Sequence, residues 1–576
     1  MHRDEYEIAL MLLSLALSGS PRANRPDRNA YADDDQLGET MSKKNNELIQ
    51  KIADGARKGQ ISRRDFMNYS LAAGLTATTA TGLWTGNAYA QEPKRGGTFR
   101  WGIHDGNTGD THDPGTYLTR VMIFLGHTHR SYLTMINGDG SLGPDVATSW
   151  TASEDASEWT FEITPNASFH SGKKLTADDV IASLNHHRGD ETTSAAKALL
   201  TDVTEITKDG DYVVKVKLVR GNADFPWLMT DYHLAICPAN DDGTIDWQSG
   251  DGSGPYKIDS GEFGVQFSLS RHDGWHGEGA WFDKVEMITL NDPNARQTAL
   301  VTGDVDSVSQ VDLKTMALLQ RDPNIKVLNV PSAGAITMPM FCDTAPFDNV
   351  DVRNALKLAI NRDEIIEKIL FGAATKGNDF HHSPAQPYWP DDIPQREYDP
   401  DQARSLLKKA GAEGLSVSIS TADSVSSGAV DMAVLYSEQA KAAGIDVKVV
   451  REPNDGYYSD VWLKKPFCLV SWGARPTPDV MYTLAYKDDA AWNESHWQNE
   501  RFNELLLQAK AELNDSLRAE MYREMAMLAR DDGGTIIPFF NNFVYGARGN
   551  VGTPENLAAS WESDGARAAS RWWFTS

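Results

Sequence analysis

Apolar and polar residues alternate along Trp159-Thr160-Phe161-Glu162-Ile163, the period-two pattern of a strand with one buried face. Tyr212 to Leu218 repeats it. Thr176-Ala177-Asp178-Asp179-Val180 predicts a helix start, with Thr176 as N-cap and Asp179 at the capping-box position. Val352, Ala355, Leu356, Ala359 and Ile360 fall at i, i+3, i+4, i+7 and i+8, a core-facing helical stripe. Asp399-Pro400 supplies a cap and a first-turn proline, and Gly411 stops that helix. Leu415 to Ile419 reads as a strand, Val430 to Ala443 as a helix ended by Gly444, and Ile445 to Val449 as the next strand. Helix, glycine, strand, twice over, is the grammar of an α/β layer. One long amphipathic helical stretch is expected from about Arg501 to Arg530, closed by Gly533-Gly534.

The chain carries these segments on 576 residues, 40% hydrophobic and 9% aromatic, enough for several cores. Acidic groups outnumber basic ones 81 to 55, a formal charge of -26. Nucleic acid is therefore not an expected partner, because phosphate binding depends on Lys and Arg. Cys237, Cys342 and Cys468 are few and far apart, which rules out a disulfide scaffold or a CxxC zinc site.

Residues 1–90 hold 11 basic and 11 acidic groups, so the whole net charge falls on the remainder. Ser62-Arg63-Arg64-Asp65-Phe66-Met67 precedes a mildly apolar run, and Ala88-Tyr89-Ala90 stands before Gln91. A positive n-region, a short apolar stretch and an A-x-A end read as an export signal. The arginine pair resembles a twin-arginine signal, which implies the twin-arginine translocase as a partner during export. Residues 41–90 are read as that signal, cleaved near Ala90-Gln91 to give a periplasmic mature chain. The acidic flank at Asp4, Glu5 and Glu7 is wrong for a signal start, so 1–40 are read as an over-extended N-terminus.

Motifs spread along the mature chain carry a resemblance. Gly96-Gly97-Thr98-Phe99-Arg100 with Asp113-Pro114 comes first, then Pro144-Asp145-Val146-Ala147-Thr148-Ser149-Trp150. Phe169-His170-Ser171-Gly172, Leu175 to Val180, and Gly252-Ser253-Gly254-Pro255-Tyr256 follow. Ala345-Pro346-Phe347-Asp348, Val352-Arg353 and Ala359-Ile360-Asn361-Arg362 complete the series. In this order they resemble the large solute-binding proteins of ABC importers, in the peptide/nickel/opine-binding family (family 5 extracellular solute-binding proteins). The resemblance implies a two-lobed α/β periplasmic-binding-protein fold of type II, with an extra subdomain in its first lobe. It places the first lobe at 92–335 and 539–576, the insert near 141–250 and the second lobe at 336–538. It also implies a small-molecule solute, an inner-membrane ABC permease with its ATPase subunits as partner, a monomeric state and no cofactor.

Catalytic signatures are missing from the text of the chain. Gly252-Ser253-Gly254-Pro255 has its glycines at the wrong spacing for a nucleophile elbow, and there is no H-E-x-x-H. His127-Thr128-His129 would need an extended backbone to share a metal, whereas the family places it on a helix. A binder rather than an enzyme is expected, with no metal. A metal- or cofactor-dependent exported enzyme is the alternative from another class.

The densest solute-binding candidate is Ser471 to Asp479, where Trp472, Arg475 and Asp479 combine an aromatic wall with both charges. In peptide binders of the family an Asp stands about three residues after this tryptophan and pairs with the peptide's ammonium; Arg475 occupies that place. A guanidinium fork suits a carboxylate or phosphate, so an anionic, opine-like or acidic-conjugate solute is expected. A di- or oligopeptide held by Asp479 is the alternative, and a structural Arg475–Asp479 ion pair is the plain one. Trp492, Asn493 and Trp497 form a second candidate group, with Trp497 alternatively packing beneath the helix that follows. Trp389 offers a further wall. The resemblance adds His127 and Arg130 from the first lobe, and Phe341 and Asp343 from the strand entering the second.

Overall fold

The computed structural model describes residues 93–575, so the expected over-extended N-terminus at 1–40 and the expected signal at 41–90 lie outside the described residues. The largest sheet has nine strands, and its centre is Thr98–Ile103. That strand buries Phe99, Trp101 and Ile103 and runs parallel to Lys284–Thr289 and Ser307–Val308. Each such fully buried aromatic contributes about 3 kcal/mol at most. Trp101 stacks on Phe124, which projects from the helix Arg120–His129 lying against the sheet.

Three large hydrophobic cores organise the described residues, with smaller apolar clusters beside them. The first runs from Phe99 to Trp572 in sequence and takes in the centre of the large sheet. The second gathers Ile336 to Phe539. The third, Leu133 to Ile236, lies under a four-stranded antiparallel sheet and the helix Ala177–His186. Two long antiparallel strands, Ile325–Pro339 and Thr535–Arg548, connect the first core to the second. Val330 and Tyr545 pack in the first core, Ile336 and Phe539 in the second. Their register shifts between Pro331 and Ala335 and again between Ile336 and Met338. At this junction the short strand Val470–Trp472 pairs with Ala335 to Thr337.

Local signals account for most element ends. Asp179 accepts from the Thr176 backbone N–H at 2.9 Å, closing the expected box. Asp399 accepts from Gln402 N–H at 2.8 Å and starts Pro400–Lys409. The strands Ser416–Thr421 and Asp446–Arg451 are parallel, with helix Ala429–Ala440 between them. Gly444 ends the crossover at φ 76°, a left-handed position that glycine takes without a Cβ penalty.

One expectation needs correcting. The stretch from Arg501 to Arg530 is two helices, Glu500–Ala511 and Asp515–Asp531, rather than one. The Asn514 amide oxygen accepts from the N–H groups of Ser516 and Leu517 at 3.0 and 3.3 Å and starts a new helix. Hydrophobic periodicity continues through the break and hides it. Replacing this cap should cost about 1 kcal/mol in Asn514→Ala, and Asn514→Asp should retain most of it, as read from urea melts.

Candidate functional site

The junction strand delivers its residues to a cavity of about 1410 Å³ bounded by all three cores. After Trp472 the chain turns through Gly473 to Pro476 and starts the helix Pro478–Ala485, with Pro478 in the first turn. Arg475 lines the cavity. Its Nη1 donates to the carbonyls of Gly473 and Ala474 at 3.2 and 3.0 Å. Nε and Nη2 have no hydrogen-bond partner among the described residues. Burial lowers its affinity for the proton, while Asp231 and Tyr232 across the cavity raise it. An arginine nonetheless stays charged at any physiological pH.

The Arg475–Asp479 ion pair considered from the sequence does not form. Asp479 is 2% exposed and belongs to a different group of charges. Its Oδ2 lies 3.7 Å from Lys510 Nζ, and its Oδ1 is buried without a partner. Burial pushes this carboxyl up to about 6, with Lys510 pulling it down and Asp224 pushing it further up. Beside it, Asp224 of the third core meets Arg518 of the second at 2.5 Å. Thr477 Oγ1 donates to the other Asp224 oxygen at 2.6 Å, and Ala223 N–H donates to the Lys510 carbonyl at 2.7 Å. Arg518 also donates to Tyr388 and Tyr522 at 3.0 and 3.2 Å. The third core is thus tied to the second by an ion pair out of reach of water.

Trp472 and Trp492 form an aromatic wall of the cavity. Trp472 is nearly buried, while Trp492 is 42% exposed. Trp462 stands behind both, and the three ring centroids are 5.8 to 6.1 Å apart. Trp462 and Trp472 donate their indole N–H groups to one Glu494 oxygen at 2.9 and 3.0 Å, and Thr337 donates to the other at 2.7 Å. Three donors favour the carboxylate, but desolvation is larger and pushes Glu494 up to about 7.

On the side of the first core, His127 lines the cavity and packs at a tilt against Tyr132, with ring centroids 4.6 Å apart. Burial and the nearby Arg567 lower it to about 3, so it is neutral. Arg130 reaches the cavity lining too, but its guanidinium is committed to Cys237 Sγ, His129 Nε2 and the His112 carbonyl. His127 and His129 diverge on their helix; the His129 ring meets the Leu125 carbonyl at 2.8 Å.

Five candidates lie away from this cavity. Trp497 donates to Asp532 at 2.8 Å and packs edge-on against Phe502 at 5.1 Å, inside the second core. Asn493 donates to the Trp497 carbonyl at 2.7 Å and holds that turn. Phe341 stacks on His496 at 3.9 Å, and His496 Nδ1 sits 3.0 Å from Asp343. Asp343, Asn493 and Trp497 border a separate hollow of about 700 Å³. Trp389 faces Phe380 and His382 in the second core, because the backbone turns at Tyr388 with φ 64°.

Sequence reasoning passed over Asp224, Asp231, Tyr232 and the bracing pair Trp462 and Glu494. Asp231-Tyr232-His233 left a local trace, an Asp and a His two apart with an aromatic between them. His233 Nδ1 lies 2.7 Å from Asp231 Oδ1. Asp224 and Arg518 are 294 positions apart and left none.

The two-lobed α/β architecture with an extra subdomain is the type II periplasmic-binding-protein fold. Residues 141–494 match the family described as bacterial extracellular solute-binding proteins, family 5 (middle region), and the chain belongs to that family. It is 23% identical over 436 residues to the dipeptide-binding protein of Escherichia coli K12, covering 68% of this chain and 80% of that one. The structure of HbpA2 from Haemophilus parasuis superimposes with a TM-score of 0.73 at 19% identity, over 81% of this chain and 99% of that one. AgaA from Agrobacterium tumefaciens R10, solved with agropinic acid, gives 0.62 at 21% identity, over 83% of this chain and 99% of that one. The family is one of transport binding proteins, so the chain is a solute receptor of an ABC importer rather than an enzyme. Among the described residues no helix is long and apolar enough to cross a membrane.

Two stability measurements probe the site. Asp224→Asn removes the carboxylate that Arg518 pairs with and should cost about 3–5 kcal/mol in urea melts; Asp224→Leu with Arg518→Met should recover most of it. Glu494 titrates at its ordinary 4.5 when unfolded and near 7 when folded. The folded state therefore binds the extra proton, and the stability it contributes is full below pH 4.5 and lost as pH rises through about 7. Against Glu494→Gln, the native chain should lose about 3 kcal/mol over that window.

Proposed function

We propose that this protein captures an anionic organic solute, opine-like or acidic-conjugate-like, between its lobes and delivers it to an inner-membrane permease driven by ATPase subunits. The observation that carries the reading is Arg475, whose Nε and Nη2 donors face no carboxylate partner among the described residues while the side chain lines the cavity. A planar fork with spare donors suits a carboxylate or phosphate group. The agropinic acid complex of a structural relative supports an opine-like cargo. In this proposal the first lobe comprises 92–335 and 539–576 with an insert near 141–250, and the second comprises 336–538. The protein acts as a periplasmic monomer, exported through the twin-arginine translocase by residues 41–90 and cleaved near Ala90-Gln91.

A second reading, a di- or oligopeptide receptor, is favoured by one observation: Asp479 Oδ1 is unpartnered at the cavity and would accept from an ammonium. The dipeptide-binding relative supports it as well. Against it stands the carboxyl's rise to about 6, which weakens its hold on a cation as pH falls.

Thermal-shift screening of residues 91–576 against opines, acidic sugars, peptides and metal chelates separates the two. A solute at a hundred times its Kd should add about 2.7 kcal/mol of stability. Arg475→Ala should then weaken an anionic solute by about 2–5 kcal/mol. A shift with free-amine peptides alone would overturn the anionic reading in favour of Asp479.

A further inference from the structure

The aromatic wall has an arrangement that packing alone does not require. Glu494 is buried at the base of three tryptophans and satisfies the indole N–H of Trp462 and of Trp472 with a single oxygen. The Thr337 hydroxyl holds the other oxygen, so the carboxylate cannot swing away without losing three bonds. A buried carboxylate is a costly way to fill space, since an apolar residue of similar volume would pack there at less cost. What the carboxylate does supply is orientation. With two indole N–H groups committed to it, Trp462 and Trp472 are fixed, and Trp492 rests against both at 5.8 and 5.9 Å. Trp492 is the member left 42% exposed, on the same cavity lining as Arg475.

We propose that this wall is a ring-binding subsite, in which Trp492, backed by Trp472 and Trp462, stacks on a planar ring of the solute and Glu494 acts as the positioning residue. The inference rests on the solute-receptor reading and deepens it: the cargo joins a ring to its charged head group. Ring stacking depends on a fixed π face, whereas a flexible alkyl chain gains only from covered area. The subsite therefore discriminates rings from chains of similar apolar bulk, whichever head group the rest of the cavity accepts.

The experiment uses two matched pairs of probes, measured by calorimetry and by tryptophan fluorescence on the mature chain. Hippurate against N-hexanoylglycine compares a ring with a chain on a carboxylate head. Ala-Phe against Ala-Leu makes the same comparison on a free-amine head. The expected result is a roughly five- to tenfold preference for the ring in whichever series binds. It should vanish in Trp492→Ala, fall in Glu494→Ala and return in Glu494→Gln, which keeps an acceptor for the indoles. Trp492 is partly exposed, so its variant keeps the fold and decides the matter even where Glu494→Ala does not fold. Equal binding of ring and chain, a preference that survives Trp492→Ala, or no binding of any probe at millimolar concentration overturns the subsite. The choice between acid and peptide series reports on Arg475 separately, so failure of that reading is distinguishable from failure of this one.

Discussion

The site depends on a pairing constraint at the junction of the two larger cores. Two antiparallel strands pass from one core to the other, and the strand Val470–Trp472 attaches to them where their register is disturbed. Ala335 faces Trp472 in that pairing, so the register at one residue decides where the following loop begins. A one-residue slip would exchange the faces of Ser471 and Trp472 and withdraw the indole from the cavity. The same slip would move Arg475 and the start of the helix at Pro478. The Glu494 bonds reinforce this register from the other side, since they tie Trp472 and Thr337, on two paired strands, to one carboxylate.

Buried charge then divides the cavity into a part that holds the protein together and a part that is free to meet a solute. Asp224 is engaged with Arg518 and Thr477, Lys510 with Asp479, and this geometry joins the second and third cores. Desolvation makes such a pair a weak net stabiliser but a strict one, because each partner is costly to leave alone. Any opening that separates these two cores must rehydrate both Asp224 and Arg518. Arg475 is in the other class: its bonds are to two neighbouring backbone carbonyls, which orient the fork without neutralising it.

Much of the fold was legible because its signals are local. The box at Thr176, the cap at Asp399 and the left-handed Gly444 each need only a few neighbouring residues, and all three are where the sequence puts them. The break at Asn514 was not, because a cap inside a continuing apolar period looks like any other polar position. For the site, proximity in sequence revealed Trp472, Arg475 and Asp479 as one group and Trp492 only within a second, which the cavity joins to the first. It could not separate Trp492 from Trp497, which lie five apart in a loop with no fixed periodicity. Their acceptors separate them: Asp532 draws the Trp497 indole inward, whereas Trp492 has only aromatic neighbours behind it. Asp224 with Arg518 depends on residues brought together by the completed fold, and no local pattern announces such a pair.

The two possible head-group anchors are unequal for a physical reason. Asp479 is more deeply buried, and burial taxes the charged form of an acid until it titrates near 6. Its nearest cation, Lys510, already offsets part of that cost, so an incoming ammonium would compete for a carboxylate that is partly neutral and partly engaged. Arg475 suffers the same kind of desolvation from a reference so far above neutrality that its charge survives. A carboxylate arriving there completes donors that have no other partner among the described residues and offsets the desolvation of the guanidinium with an opposite charge. Placed where peptide-binding relatives are expected to carry an aspartate, the arginine reverses the sign of the charge that the loop after Trp472 presents. On the proposed reading, that reversal and the π face of Trp492 beside it set the solute's head and body, and the surrounding lobes supply the enclosure.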